Sequence, residues 1–173
     1  YCIQGSSSVT LCDVGTYRSA PSAQNASDCE ACGTGHACVK GSVQRTECEP
    51  GSYSADGEKC VGCDPGFYQT DAAQSACDLC EVGSFCLARS SEPLSCAPGK
   101  FADQQGQSEC ADCAAGEYQS SGGQSSCVPC EPGGFCANGS SAVTPCNEGS
   151  YRGTASAERQ EHCTLCEVGK ACG

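Results

Sequence analysis

The sequence predicts a small disulfide-rich repeat array: an elongated rod of short β-hairpins and loops, with almost no helix and no conventional hydrophobic core. Cysteine accounts for 21 of the 173 residues, a density typical of disulfide scaffolds. Leu, Ile, Val and Phe together number only 19, which is too few to bury a conventional core. The pattern Cys-x-x-Gly recurs throughout the chain, so the repeat is the unit of structure.

The repeat comes in a long and a short form. Six long copies read Cys-x-x-Gly-x-Tyr/Phe and reach a second cysteine after 11 to 16 intervening residues, whereas four short copies reach it after five. Closing a loop of about 15 residues removes roughly 3 kcal/mol of unfolded-state entropy, so covalent closure replaces much of the missing apolar burial. The ten copies start at Cys12, Cys32, Cys48, Cys63, Cys80, Cys96, Cys113, Cys130, Cys146 and Cys166.

Local structure follows from the residues between each first cysteine and its glycine. Pro followed by Gly, as in Pro50-Gly51, suits the central positions of a type II turn, where glycine is needed because φ is positive. We expect short strands after these turns. The longer spacers before Cys29 and Cys163 have room for one helical turn, with residues 155–161 the best candidate. The Pro-Gly turns occur at residues 49–51, 64–66, 97–99 and 131–133.

Two pairing schemes fit the cysteine spacing. The favoured scheme joins each first cysteine to the next cysteine along the chain. Its rival interlocks Cys29 with Cys38 and Cys32 with Cys48, and leaves Cys60 and Cys63 with only each other. The favoured scheme predicts Cys12–Cys29, Cys32–Cys38, Cys48–Cys60, Cys63–Cys77, Cys80–Cys86, Cys96–Cys110, Cys113–Cys127, Cys130–Cys136, Cys146–Cys163 and Cys166–Cys172.

A second, longer repeat spans several modules. Residues 1–39 align without a gap on residues 135–173, with 17 identical positions that include every cysteine of both segments. This superperiod of 134 residues makes Cys2 equivalent to Cys136, so we expect its partner just before residue 1. The superperiod predicts four divisions. Residues 1–47 hold the end of a preceding repeat with a short unit, 48–95 and 96–145 are long units, and 146–173 are a truncated short unit.

Composition indicates the compartment. Disulfides at this density persist in oxidising surroundings, which predicts a secreted or cell-surface protein. Asn25 and Asn138 each begin an N-glycosylation sequon. The net charge of −12, with nine scattered Lys and Arg residues, argues against nucleic-acid binding. No apolar run is long enough to span a membrane, so we expect no membrane insertion by this segment.

Zinc is the metal that the cysteine spacing would suit best. Cys60 and Cys63 with Cys77 and Cys80 approach the spacing of a zinc ribbon. Half of that pattern, however, is the Cys-x-x-Gly motif, which also occurs in modules that lack a second Cys-x-x-Cys pair. The motif therefore does not depend on a zinc site. No nucleophile stands beside a suitable base either. We therefore predict no metal, no cofactor, no catalytic residue and no enzymatic activity.

The motif resembles the ephrin-receptor-like cysteine-rich repeat, most closely in the segments that start at Cys48 and Cys63. It is more distantly similar to the cysteine-rich modules of tumour necrosis factor receptors. This resemblance implies a rod-like extracellular array without enzymatic activity. Similar long arrays belong to protist and algal surface proteins and to mastigonemes, which are hair-like flagellar appendages.

The superperiod bears on function because near-copies every 134 residues suit a periodic filament better than a single receptor site. The leading hypothesis is a structural repeat segment of a secreted or cell-surface fibre, stapled by disulfides and glycosylated. Its partners would be further copies of itself or other extracellular structural proteins. The alternative is a ligand-binding or adhesive receptor stalk.

Overall fold

The chain folds into a succession of very short hairpins. The computed structural model describes residues 11–19 and 26–168. Within these residues there are nine two-stranded antiparallel sheets and no α-helix, which confirms the predicted repeat array of short β-hairpins. The strands are β1 (Thr16–Tyr17), β2 (Glu30–Ala31), β3 (His36–Ala37), β4 (Thr46–Glu47), β5 (Ser52–Tyr53), β6 (Val61–Gly62), β7 (Phe67–Tyr68), β8 (Asp78–Leu79), β9 (Ser84–Phe85), β10 (Leu94–Ser95), β11 (Lys100–Phe101), β12 (Ala111–Asp112), β13 (Glu117–Tyr118), β14 (Val128–Pro129), β15 (Gly134–Phe135), β16 (Thr144–Pro145), β17 (Ser150–Tyr151) and β18 (Thr164–Leu165).

Every hairpin is built in the same way. Its first strand follows the glycine of one Cys-x-x-Gly motif, and its second strand ends just before the first cysteine of the next. In β5 and β6, for example, Tyr53 pairs with Val61. The amide of Cys63 then donates to the carbonyl oxygen of Gly51 at 2.9 Å. We call each motif with its hairpin a module and name it by its first cysteine.

The predicted Pro-Gly turns are confirmed. The amide of Ser52 donates to the carbonyl oxygen of Glu49 at 3.1 Å, and the same bond closes the turns that begin at Asp64 and Ala97. A left-handed φ at the third residue of the turn identifies type II geometry. These φ values are 79°, 88°, 83° and 96° at Gly51, Gly66, Gly99 and Gly133.

Sulfur forms most of the interior. Among the described residues, the buried apolar side chains are almost all cysteines, joined by Ala102 and Ala157. Larger aliphatic side chains remain exposed, for example Val39 at 71% and Leu165 at 79%. The cysteines buried to at least 96% are Cys12, Cys32, Cys38, Cys48, Cys63, Cys80, Cys86, Cys96, Cys113, Cys130 and Cys136.

The two longer spacers each contain one 3₁₀ turn, at Ala26–Asp28 and Gln160–His162. Each turn lies directly before the second cysteine of its module. The predicted range 155–161 therefore starts too early. The reason is Ser156, whose φ of 61° is incompatible with a right-handed helix and whose amide donates to the carbonyl oxygen of Cys130.

The modules group into two compact units. One consists of Tyr1–Leu79 with Leu87–Glu92, and the other of Cys80–Cys86 with Pro93–Gly173. The divisions predicted from the superperiod, at 47/48, 95/96 and 145/146, stay predictions.

The register of the first hairpin generates a test. Tyr17 pairs with Glu30 across β1 and β2, and its hydroxyl donates to the Glu30 carboxylate at 3.0 Å. This hydrogen bond, together with repulsion between the carboxylate and a phenolate, raises the pKa of Tyr17 above its ordinary value. The stabilisation of the fold by this hydrogen bond is therefore fully present below the pKa that Tyr17 has in the unfolded chain. It is lost as the pH rises through the higher pKa that Tyr17 has in the folded protein.

We expect Glu30→Gln to lower the pKa of Tyr17, measured by an NMR titration of the tyrosine rings. Glu49→Gln is the control and should leave it unchanged; equal pKa values in the parent and in Glu30→Gln would contradict the register.

Candidate functional site

The second cysteine occupies a different place in long and short modules. In long modules it directly precedes the second strand, as Cys77 precedes β8. In short modules it directly follows the first strand, as Cys86 follows β9. The short-module cysteine thus lies three residues after the glycine, where long modules place other buried residues such as Ser54 and Ala102. Both forms fill the same interior position.

Nine cysteine pairs lie in the described part of the chain, with Cα separations of 5.4 to 6.1 Å. They follow the nearest-neighbour order. Cys166 is also disulfide-bonded. Its predicted partner Cys172 lies outside the described residues, as do Cys2 and Asn25. The nine pairs are Cys12–Cys29, Cys32–Cys38, Cys48–Cys60, Cys63–Cys77, Cys80–Cys86, Cys96–Cys110, Cys113–Cys127, Cys130–Cys136 and Cys146–Cys163.

At six junctions, successive modules are joined by three backbone hydrogen bonds, which we call the junction bonds. Between the Cys48 and Cys63 modules, the Gly51 amide donates to the Gln69 carbonyl at 2.8 Å. The Ser54 amide donates to the Gln74 carbonyl at 3.0 Å. In the opposite direction, the Ala73 amide donates to the carbonyl of Cys48 at 2.8 Å. Because all three use only the backbone, their formation does not depend on which side chains the loops carry.

The same three bonds recur in both units. At the junction of the Cys96 and Cys113 modules, Gly99 donates to Gln119 at 2.7 Å and Gly123 donates to Cys96 at 2.8 Å. The third bond runs from Ala102 to Gln124 at 3.1 Å. All three bonds are present at the junctions 12/32, 48/63, 80/96, 96/113, 113/130 and 130/146, named by first cysteines.

Five of the motif glycines also touch the module after next, namely Gly35, Gly51, Gly83, Gly99 and Gly116. A Cβ built on Gly99 would lie closer than 3.0 Å to the carbonyl oxygen of Gly139, which belongs to the Cys130 module. Gly51 stands in the same relation to Arg89. Real Cβ atoms essentially never approach backbone oxygen so closely, so glycine is required here by packing as well as by its positive φ.

The loop residue that donates to the cysteine carbonyl has a left-handed backbone in the junctions with three bonds. Sequence reasoning missed this position because Ala73 and Ser156 fill it in two modules, at φ values of 59° and 61°. In the other modules the position is usually glycine. An alignment of loop glycines across modules is the signal that could have found it, since Gly41, Gly106, Gly123 and Gly139 all donate to a first cysteine.

Two of the long-module loops are braced by an equivalent glutamine. The amide nitrogen of Gln69 donates to the Ala76 carbonyl at 2.9 Å, while its amide oxygen accepts from the backbone of Asp71 at 3.1 Å. Gln119 makes equivalent bonds, including one to Ser126 at 2.8 Å. Residues 63–86 and 113–136 are identical at 12 of 24 positions, and their loops share this bracing.

An open groove recurs where an aromatic residue of one module meets the disulfide of the next. In the first unit it has a volume of about 180 Å³ and is lined by Tyr53, Asp64, Phe67 and Cys77. The equivalent groove in the second unit measures about 440 Å³. Its lining residues are Phe85, Ser95, Ala97, Lys100, Glu109 and Cys110. The charged side chains differ between the two grooves, because Asp64 lines the first, whereas Lys100 and Glu109 line the second.

The cysteines that approach a zinc-ribbon spacing are used in disulfides. Cys60 is bonded to Cys48, Cys63 to Cys77 and Cys80 to Cys86. Across residues 11–19 and 26–168, no three His, Cys, Asp or Glu side chains cluster in a way that could hold a metal ion. No helix in that same part of the chain is long and apolar enough to span a membrane.

Asn138 occupies an exposed turn of the short Cys130 module. The amide and the hydroxyl of Ser140, the third residue of the sequon, both bond to the Ala137 carbonyl, at 3.2 and 2.7 Å. The turn thus presents the Asn138 side chain at the surface.

A glycine substitution tests the contact between a module and the module after next. We expect Gly99→Ala to lower the free energy of unfolding by about 2–4 kcal/mol, through backbone strain and a collision with the Gly139 carbonyl. Gly153→Ala is the matched control, because Gly153 has no atom within 4 Å of its built Cβ and no positive φ. Thermal denaturation of the oxidised proteins measures both. Equal stability of the two variants would contradict the packing.

Comparison with known families supports the repeat. Residues 51–93 match the family model described as tyrosine-protein kinase ephrin type A/B receptor-like. No curated protein matches the sequence. Ephrin-receptor-like repeats are a non-catalytic module type, and together with the many disulfides they indicate an extracellular location. The match over residues 51–93 and the disulfide pairs that repeat on both sides of it support an ephrin-receptor-like cysteine-rich repeat array.

Proposed function

We propose that the chain is a structural repeat segment of an extracellular fibre, either secreted or attached to a cell surface. The observation that carries the proposal is the recurrence of the junction bonds. At six junctions, the motif amide of one module donates to the next module and the carbonyl of its first cysteine accepts from that module. An array joined in this way extends by adding copies, which is the property that a fibre needs.

The 134-residue superperiod supports the same proposal. It repeats every cysteine of the first 39 residues and twelve further residues, among them Tyr17 and Arg18. A monovalent binding site does not require such copies, whereas a periodic filament does. The partners that this proposal implies are further copies of the chain or other extracellular structural proteins.

Charge sets the conditions for such association. The chain carries 21 acidic and nine basic residues, so neighbouring segments repel one another at low ionic strength. The Debye length falls from about 30 Å at 0.01 M salt to about 8 Å at 0.15 M. Lateral association is therefore expected to strengthen as salt is added.

A non-catalytic role is part of the proposal. The described cysteines are all disulfide-bonded, so none of them is a free thiol that could act as a catalytic nucleophile. The two histidines make local contacts: His36 bonds to the Thr34 carbonyl at 3.0 Å, and His162 lies 3.3 Å from the amide of Glu158.

The second candidate is a ligand-binding or adhesive receptor stalk. It is favoured by the match of residues 51–93 to a family model named for a receptor. In this case the array spaces or presents a binding site and has no need to self-associate. The aromatic grooves would then serve as ligand contacts.

Electron microscopy of the native material separates the two candidates. We expect filaments with a repeating unit of one superperiod, and bundles that increase as the salt concentration rises toward physiological values. Dispersed single particles at every salt concentration would contradict the fibre and favour the stalk.

Asn138 gives a separate test of the extracellular proposal. When the protein is expressed through a eukaryotic secretory pathway, we expect a glycan on Asn138, because its sequon lies on an exposed turn. Asn138→Gln should then increase electrophoretic mobility by the mass of one glycan. Asn147→Gln, an exposed asparagine outside any sequon, is the control and should migrate like the parent. Identical mobility of the Asn138→Gln protein and the parent would show that the site is not used.

A further inference from the structure

One disulfide, Cys48–Cys60, differs from the others in accessibility. Cys60 is exposed, whereas the corresponding second cysteine is half-buried in the other five long modules. In the three short modules that are described in full, both cysteines are fully buried. A thiolate from solution must reach a disulfide sulfur to attack it, so exposure controls the rate of exchange. The fully buried second cysteines are Cys38, Cys86 and Cys136.

The loop closed by Cys60 is also the shortest of the six long loops. Its two cysteines are 12 residues apart, compared with 14 in the Cys63 module. In the longer loop, Ala73 donates to the preceding module and Gln74 accepts from it. In the shorter loop a single left-handed residue, Gly57, takes this place with φ of 80°.

The shorter loop makes fewer junction bonds. Gly57 accepts from the Cys38 amide at 3.0 Å, but its own amide is turned inward to the Ser54 hydroxyl at 3.1 Å. The carbonyl of Cys32 therefore receives no backbone donor from this loop among the described residues. The junction between the Cys32 and Cys48 modules therefore has two of the three bonds, whereas the six junctions named above have all three.

We propose that the Cys48–Cys60 disulfide is a thiol-exchange site, at which an external dithiol opens the junction between the Cys32 and Cys48 modules. One thiolate of the dithiol attacks the Cys60 sulfur and forms a mixed disulfide. The Cys48–Cys60 bond breaks, and Cys48 leaves as a thiolate that takes a proton from water. The second thiol of the dithiol then attacks the mixed disulfide and releases Cys60. Two electrons pass to the protein, and the dithiol becomes a disulfide.

Opening this bond acts directly on the junction. Gly57 lies against the preceding module so closely that a Cβ on it would be 3.0 Å from the Gly33 carbonyl oxygen and 3.1 Å from the Cys32 side chain. With Cys60 released, the loop residues that hold Gly57 in place lose their covalent anchor. The Cys38 amide then loses its acceptor, and the two modules can separate while the buried disulfides on either side stay intact.

Timed partial reduction tests the site. The fully oxidised chain is treated with limiting dithiothreitol near neutral pH, quenched in acid, labelled with N-ethylmaleimide and mapped by mass spectrometry. Because exchange follows access to sulfur, we expect Cys48 and Cys60 to be labelled about tenfold faster than Cys80 and Cys86. Labelling of another pair first, or of all pairs together, would overturn the proposal.

A matched pair of variants assigns the fast phase. The double variant Cys48→Ser/Cys60→Ser should lack it, while Cys96→Ser/Cys110→Ser should retain it, because Cys110 is half-buried. If either variant fails to fold, the mapping on the parent chain still decides the question.

Hydrogen exchange tests the junction itself. After selective opening of Cys48–Cys60, the amides of Gly35 and Cys38, which donate across this junction, should exchange faster. The amides of Gly99 and Ala102, which donate across the 96/113 junction, should not change. Unchanged protection of Cys38 after selective opening would overturn the claim that the disulfide controls the junction.

Discussion

Covalent closure of each loop onto a buried cysteine is the constraint on which this structure depends. The first cysteine of each described motif up to Cys130 is almost completely buried, and few other apolar side chains share the interior. A loop of about 15 residues gains roughly 3 kcal/mol from such closure, which a chain with so little aliphatic content cannot obtain from burial. The disulfide also fixes the cysteine carbonyl, which accepts a junction bond at each of the six junctions with three bonds.

Because of this closure, the recurring residues and the variable residues have different roles. Cysteine recurs because the disulfide requires it. Glycine recurs because its position in the motif has a positive φ and, in five modules, also touches the module after next. The remaining junction bonds join backbone to backbone, so Gln74 in one loop and Ser90 in another serve equally well as acceptors. Copies of the module can therefore diverge in sequence and still stack, and the loops are free to differ in length, charge and surface chemistry.

Much of the fold could be predicted from the sequence because its determinants are local. The Pro50-Gly51 turn is fixed by backbone chemistry within a few residues, and the hairpin after it follows from the turn. The junctions could not be predicted in the same way. Ala73 adopts a left-handed backbone because the carbonyl of Cys48 holds its amide, and nothing in its own side chain indicates this. The 3₁₀ turn before Cys163 begins later than predicted because Ser156 is held by a residue of another module. The exposure of Cys60 likewise depends on how its loop meets a neighbour.

The most direct test of the central claim is to map the disulfides of the intact oxidised protein. Proteolysis at acidic pH prevents thiol exchange, and mass spectrometry with backbone fragmentation resolves neighbouring cysteines such as Cys60 and Cys63. The account predicts that each first cysteine is joined to the next cysteine along the chain, with Cys63 joined to Cys77. Recovery of the interlocked bonds, Cys29 with Cys38 or Cys60 with Cys63, would contradict it.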